Sequence, residues 1–261
     1  MLLSYFTIIA YFAAALLLTR HFTQNNPQHK YQQTIWILLS FAILAQALSF
    51  SDFWAGNGII FGLANAAVFV AWLITILLFL ASISKPVHAL GIFLYPLAAL
   101  VIIFSLIFPD TNAKIIPLNL ASHIFLSMSA YALLTLAVCQ SVLLKIQEKH
   151  LHERQINRFI SKLAPLQTME QLLFQSLRIG FYLLTLSLIS GFVFIDDLFA
   201  QHLVHKTTLS LLAWIIFATL VFGRKLFGWR GKQPINAIQV GFGLLLLAYF
   251  GSKFVLERLL G

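Results

Sequence analysis

Long apolar stretches separated by short polar gaps run along the whole chain. Eight of them are about 20 residues long, the length that a helix needs to cross the hydrocarbon core of a bilayer. They lie near residues 2–19, 33–51, 59–82, 89–108, 118–144, 179–199, 204–222 and 235–252. Because a bilayer offers no water to backbone amides, such stretches must form helices. The pattern therefore predicts an all-α polytopic membrane helix bundle with about eight transmembrane helices.

The composition supports this class. Hydrophobic residues make up 60% of the chain and charged residues only 10%, whereas an ordinary soluble domain carries roughly 25% charged residues. A soluble fold could not cover so much apolar surface, but lipid can solvate it. We therefore expect membrane lipids to surround the protein.

The positive charges predict an orientation. Of the lysines and arginines, 13 fall in the first, third, fifth and seventh gaps, and four fall on the opposite side. By the positive-inside rule the odd gaps are cytoplasmic, so both termini are predicted to face outward. The net charge of +9 is thus explained by topology, and no nucleic-acid binding is expected.

We expect the eight spans to form two membrane halves of four spans each. Residues 1–117 form a four-helix amino-terminal membrane half, and residues 118–261 form a second membrane half that includes a cytoplasmic segment at 145–175. In that segment charged residues alternate with apolar ones at helical spacing up to Pro165, as in an interfacial amphipathic helix. We expect it to be a connector lying on the inner leaflet.

Few residues in the spans could carry chemistry. No Asp, Glu, Lys or Arg lies near the centre of a span, and Cys139 is the only cysteine. The sequence therefore offers no buried carboxylate pair, no internal disulfide and no Cys-x-x-Cys pair, and no enzymatic activity is predicted. A permease would need a polar path at the midplane, for which Gln46, Asn65 and Gln140 are the available candidates.

The histidines differ in their positions. His21, His29, His150 and His152 lie among cytoplasmic loop charges and are expected to be solvated, and His88 lies at the inner end of span four. His123 instead falls about one turn inside the outer end of span five, where positions 123, 127 and 131 share one helix face. A neutral imidazole there could ligate haem iron while its other nitrogen bonds a neighbour. The alternative is an interhelical hydrogen bond.

His202 and His205 lie in the sixth gap, on the same predicted side as His123. They could approach His123 across the bundle and take part in cofactor binding. The alternative for both is a solvated loop side chain.

Four spaced motifs in the second half resemble the cytochrome c assembly family, of the CcsA, ResC and HemX-like type. Ser122 to Ala132 resembles the outer-histidine helix of that family. The second motif is Leu163–Gln167 followed by Gly180–Thr185 and Gly191. The third is Lys206 with Trp214–Ala218 and Gly228–Lys232. The fourth is Gly241-Phe242 with Tyr249–Gly251. The last two motifs resemble the shorter branch of YpjD-type inner-membrane proteins.

This resemblance implies a haem-handling role at the outer face, with His123 as the surviving iron ligand. The other histidine positions of the family fall at about Phe222 and near Leu260, and the outer loop that ends in Trp-Asp in the haem exporters contains only Asp196-Asp197 here.

We therefore predict a multi-pass protein of the cell inner membrane that acts in cytochrome c assembly or haem handling, with haem and other assembly proteins as partners. The alternatives are a non-haem membrane scaffold on the same frame and, ranked last, a small-molecule permease.

Overall fold

The computed structural model describes residues 2–23, 29–55, 58–110, 114–154, 158–194 and 201–251. Within these ranges, the side chains of residues 29–31, 52–61, 114–119, 194, 201–205 and 250–251 are not described. The helices are α1 (Leu2–Thr23), α2 (His29–Ser49), α3 (Leu63–Ser84), α4 (Gly91–Ile107), α5 (Leu118–His152), α6 (Arg158–Ser161), α7 (Leu166–Phe194), α8 (Gln201–Phe227) and α9 (Lys232–Leu246). A 3-10 turn, His88–Leu90, precedes α4, and a π turn, Leu247–Gly251, follows α9.

Among the described residues, seven helices are long and apolar enough to cross a membrane. These are α1 to α5, α7 and α8, with the 3-10 turn before α4 included in its span. The eighth predicted span corresponds to α9, whose 15 residues continue into the five residues of the π turn. At about 1.5 Å per residue that combined length is close to the thickness of the hydrocarbon core. The prediction of an all-α membrane helix bundle is confirmed, with eight as an approximate count.

The chain forms two compact units. The first comprises Met1–Leu118 and Ile146–Thr168, and the second comprises Asn119–Lys145 and Met169–Gly261. The prediction that all of residues 145–175 join the second half thus differs from the structure, which groups Ile146–Thr168 with the amino-terminal helices.

In the first unit, α1 packs between α2 and α4, and α3 packs against α4. Ala10, Ala14, Ala98 and Ala99 are all buried, since small side chains allow two membrane helices to approach closely. Polar groups also join the helices, because the Tyr11 hydroxyl donates to Gln46 Oε1 at 2.7 Å and contacts Thr75 Oγ1 at 3.0 Å.

Two loops of the first unit form a small antiparallel sheet. Its strands are β1 (Trp54–Ala55), β2 (Gly58–Phe61) and β3 (Lys114–Pro117), in the order β1-β2-β3. Ile59 pairs with Ile116 and Ile60 with Ile115. The sheet thus joins the second gap and the first residues of the predicted third span to the fourth gap.

The second unit is a ring of four helices in which α5 packs against α7, α7 against α8, α8 against α9, and α9 against α5. Helix α5 contacts α7 through Leu134 and Gly180, and α7 contacts α8 through Thr185 and Trp214. Helix α8 contacts α9 through Phe217 and Gly241, and α9 contacts α5 through Gln239 and Ser141. Two of the contacts depend on glycine, because a Cβ at Gly180 would lie 3.0 Å from Leu134 and one at Gly241 would lie 2.9 Å from the Phe217 ring. These glycines permit close helix packing.

Residues 145–175, predicted to be a cytoplasmic connector, are largely helical. Helix α5 continues to His152 and α7 begins at Leu166, directly after Pro165, so most of the segment belongs to two extended helices. Its middle packs on protein: the Phe159 ring lies 5.6 Å from that of Phe22, and Lys162 Nζ donates to the His21 carbonyl at 2.8 Å. In this part the segment therefore makes contacts with α1.

Candidate functional site around His123

His123 lies in the second turn of α5 and faces α7. Its side chain is half-buried, and its Nδ1 atom lies 3.0 Å from the carbonyl oxygen of Ser187 and 2.9 Å from Ser190 Oγ. The interhelical hydrogen bond that the sequence offered as an alternative to ligation is therefore present. The two functions are compatible, because a ligating imidazole uses only one of its nitrogens.

The contact with the Ser187 carbonyl assigns the proton of His123 to Nδ1. A carbonyl oxygen can only accept, so in this hydrogen bond Nδ1 is the donor. The Ser190 hydroxyl itself donates to the same carbonyl at 2.8 Å, which leaves its oxygen lone pairs facing Nδ1–H. In this tautomer Nε2 carries a lone pair and can accept a hydrogen bond or bind a metal.

A glycine of α7, Gly191, leaves space for the imidazole ring of His123. A Cβ atom at Gly191 would lie 3.1 Å from His123 Cε1 and 4.0 Å from Nε2. Any larger residue at this position would press on the ring. Gly191 therefore defines one wall of the site.

A second polar contact fixes the same two helices one turn further in. Ser127 Oγ donates to the His123 carbonyl at 2.7 Å and lies 2.6 Å from Ser187 Oγ. Ser187 is buried. Because these contacts hold α5 against α7, they fix the direction of the imidazole.

Tyr131 lies outside this cluster, although it shares the helix face of His123 and Ser127. Its hydroxyl donates to the Leu245 carbonyl of α9 at 2.9 Å, and its ring lies 5.8 Å from that of Tyr249. Lys206 Nζ lies 5.1 Å from the centroid of the Tyr249 ring. The predicted face thus divides between two neighbours, with positions 123 and 127 on α7 and position 131 on α9.

The other two predicted ligands belong to α8. His202 and His205 lie in the first turns of α8 and not in a loop, but their side chains fall outside the described residues. Leu260, at the second outer histidine position of the family, also lies outside them. Phe222, at the inner histidine position, is 51% exposed.

The structure adds Ser187, Ser190 and Gly191, which sequence reasoning did not assign to the site. All three lie in one turn of α7, and the spacing Ser-x-x-Ser-Gly near the outer end of an apolar span was the available signal. Only the packing of α7 against α5 reveals their connection to His123.

At the opposite end of the second unit, the Gly228–Lys232 motif forms a tight turn. Gly228 and Gly231 adopt φ angles of 65° and 84°, which favour glycine. The Trp229 indole lies where a Cβ on Gly223 would be, and Arg224 Nη1 donates to the Trp229 carbonyl at 2.7 Å and to Glu170 Oε1 at 2.9 Å. These contacts give the motif a structural role.

Comparison with known proteins identifies relatives of this chain. Residues 60–260 match the family described as Cytochrome C assembly protein. The inner membrane protein YpjD of Escherichia coli (strain K12) is 34% identical over 133 residues, which are 51% of this chain and 50% of that protein. The chain thus matches about half the length of that relative. No solved structure gives a significant match.

Two longer matches are proteins named cytochrome c biogenesis protein CcsA. That of Mesostigma viride is 26% identical over 266 residues, covering 90% of this chain and 86% of the relative. That of Prochlorococcus marinus is also 26% identical over 266 residues, covering 88% and 84%.

Fold and site together define a multi-pass helical membrane protein that holds an oriented imidazole near the end of one helix. The family match covers both the site and most of the frame. The chain belongs to the cytochrome c assembly protein family.

Proposed function

We propose that this protein is a multi-pass component of cytochrome c assembly in the cell inner membrane, and that it binds haem at the predicted outer end of its second unit. The name of the Escherichia coli relative, an inner membrane protein, supports the location. Family membership supports the pathway. We assign no covalent chemistry to the chain.

One observation carries the haem proposal. The Ser187 carbonyl holds Nδ1–H of His123 at 3.0 Å, so that the lone pair on Nε2 is the one left for a ligand. Histidines that bind metals usually donate their other N–H to a backbone carbonyl or carboxylate, which fixes the tautomer and the ring orientation. The residues around His123 fit this pattern.

The roles of the residues follow from their contacts. Haem, when bound, supplies an iron that an imidazole nitrogen can coordinate. His123 Nε2 would be that ligand, Ser187 and Ser190 orient the ring, and Gly191 leaves space beside it. His202, His205 or a residue of a partner protein would supply a second ligand.

The experiment is a visible spectrum of the full chain, purified in detergent from cells supplied with a haem precursor. We expect a Soret band that is lost in His123→Ala and retained in His152→Ala, which changes an exposed histidine of α5. In His123→Gly, added imidazole should restore the band if the lost group is the ligand. Absence of any band in a folded, monodisperse wild-type protein would overturn the haem proposal.

The alternative is a non-haem scaffold that keeps the family frame. It is favoured by the outer loop, which has Asp196-Asp197 in place of the Trp-Asp ending of the haem exporters. For this alternative, wild-type protein and His123→Ala would have the same spectrum, while a cytochrome c assembly partner would still co-purify with both.

The permease alternative has less support. Gln46, one of its three candidates, accepts from Tyr11 and donates to the Val68 carbonyl at 3.3 Å, so this side chain is engaged in holding helices together. Asn65 lies in the first turn of α3, and Gln140 belongs to the second unit. Uptake by reconstituted vesicles no greater than that by empty ones would dismiss it.

A further inference from the structure

The first unit contains a cavity of about 50 Å³ that the haem proposal does not use. It lies where α1 ends and the 3-10 turn before α4 begins, on the predicted cytoplasmic side. His21 and His88 both line it, together with Trp36 and the exposed Gln32. Two histidines that are far apart in sequence thus meet at one cavity.

His21 is not simply solvated, in contrast to the expectation from sequence. Its side chain is half-buried, and its Nδ1 atom is buried without a hydrogen-bond partner among the described residues. A buried polar atom in this state is costly, because it has lost its hydration and gained nothing. The imidazole that carries this atom also lines the cavity.

His88 is held in place at the same cavity. Its ring packs edge-on against Trp36 with the ring centroids 6.0 Å apart, and Trp36 packs in turn on Phe79 with centroids 4.8 Å apart. The imidazole is therefore positioned by an aromatic wall, and its nitrogens are its polar contribution to the cavity.

The charges around the cavity select the sign of the ligand. Lys162 Nζ donates to the His21 carbonyl at 2.8 Å, which places an ammonium group beside the cavity. None of the described residues that line it is acidic. A cation would meet the like charge of Lys162, whereas an anion would be attracted by it and by N–H donors of the imidazoles.

The remaining residues that line the cavity are apolar and favour a ligand with an apolar part. Leu18, Ile35, Leu39 and Phe22 are buried lining residues, and they belong to helices that cross the membrane. Binding sites of this type combine an apolar lining with a few placed polar groups. Basic pockets between membrane helices on the cytoplasmic side are suited to acidic head groups.

We propose that this cavity binds the anionic head group, phosphate or carboxylate, of an amphiphile taken from the adjacent leaflet. The head group would accept hydrogen bonds from His21 and His88 near Lys162, and the first part of its tail would lie along α1 and α2. This site is separate from His123 and does not depend on haem binding.

The test is native mass spectrometry of the delipidated full chain in neutral detergent. The probes are dilauroyl phosphatidylglycerol, dilauroyl phosphatidylcholine, laurate and inorganic phosphate. We expect phosphatidylglycerol or laurate to bind about tenfold more tightly than phosphatidylcholine, because the choline cation of the latter would meet the like charge of Lys162. If phosphatidylglycerol binds more tightly than laurate, the preferred head group is a phosphate, and in the opposite case it is a carboxylate. Competition by inorganic phosphate would show that a phosphate group binds the cavity without an acyl chain.

Three variants assign the binding to this cavity. His21→Leu and His88→Leu remove the N–H donors and should each weaken binding of the acidic probe about tenfold. Lys162→Gln, at an exposed position, should do the same. His152→Leu is the matched control and should bind like the wild type. If neither phosphatidylglycerol nor laurate binds more tightly than phosphatidylcholine, or if Lys162→Gln and His88→Leu have no effect in folded protein, the proposal is overturned.

Discussion

The carboxylate of Asp110 accepts a hydrogen bond from the backbone amide of Asn65 at 2.9 Å, although 45 residues separate the two in sequence. Its other oxygen accepts from the Ala64 amide at 3.1 Å. Both amides belong to the first turn of α3, where amide groups lack partners within the helix. A loop residue that follows α4 thus caps α3, and Gly62 makes this possible because a Cβ there would occupy the position of the carboxylate.

Asp110→Ala should destabilise the first unit. The substitution leaves two amides of α3 without their acceptor and removes a negative charge from the positive end of a helix dipole. We expect the free energy of unfolding to fall by about 1–2 kcal/mol, measured by denaturation in detergent. Hydrogen exchange at Ala64 and Asn65 should become faster.

Asp110→Asn is the matched control. The amide oxygen can still accept one of the two hydrogen bonds, so about half of the loss should return. If Asp110→Ala and the wild type exchange at the same rate at these amides, the cap does not contribute to stability.

Glu170→Gln should destabilise the second unit through Arg224. The pair is 2.9 Å apart, and the side chains are only 20% and 16% exposed, so the arginine would be left half-buried without its counter-charge. We expect a loss of about 1–3 kcal/mol in the free energy of unfolding, below the value for fully buried pairs because some solvent remains.

Glu153→Gln tests whether burial is the cause. Glu153 lies 3.9 Å from Lys149, with side chains 40% and 71% exposed, and exposed pairs of this type contribute about 0.5 kcal/mol or less. Equal losses from Glu170→Gln and Glu153→Gln would contradict the role given to the Arg224 pair.

Gly191→Val should reduce haem binding without unfolding the protein. An added Cβ already lies 3.1 Å from His123 Cε1, and the two valine methyl groups would displace the ring from the Ser187 carbonyl. Overpacking of this kind costs about 1–3 kcal/mol, so we expect haem binding, measured as Soret absorbance per protein, to be weaker by about fivefold or more. Gly243→Val is the control, because nothing lies within 4 Å of a Cβ at that position. A full Soret band in Gly191→Val would mean that His123 does not hold the haem.

Several element boundaries could not be predicted from hydropathy. Helix α7 begins at Leu166, about 13 residues before the predicted span, because the polar first turns of a helix can extend beyond the lipid and be stabilised by packing. The same reason explains why α5 continues to His152. Hydropathy reports where lipid begins, and a helix ends where its backbone hydrogen bonds end.

The candidate site was predicted in part. The sequence identified His123 because a histidine within an apolar span is unusual, but Ser187 and Ser190 look like any small polar residues of a membrane helix. Their contact with His123 depends on a pairing of α5 with α7 across about 65 positions. His21, expected to be solvated, instead faces a cavity because α6 and α4 pack around the end of α1.

The sequence by itself determined the membrane class, the helical architecture and the family likeness, because each of these depends on composition and on local spacing. The tertiary structure decided which residues meet: the Ser187 carbonyl with His123, Asp110 with α3, and His21 with His88. These contacts depend on which helices pack together and on how each helix is rotated about its axis. The sequence of an apolar span indicates little about either, because almost every face of such a helix is compatible with lipid.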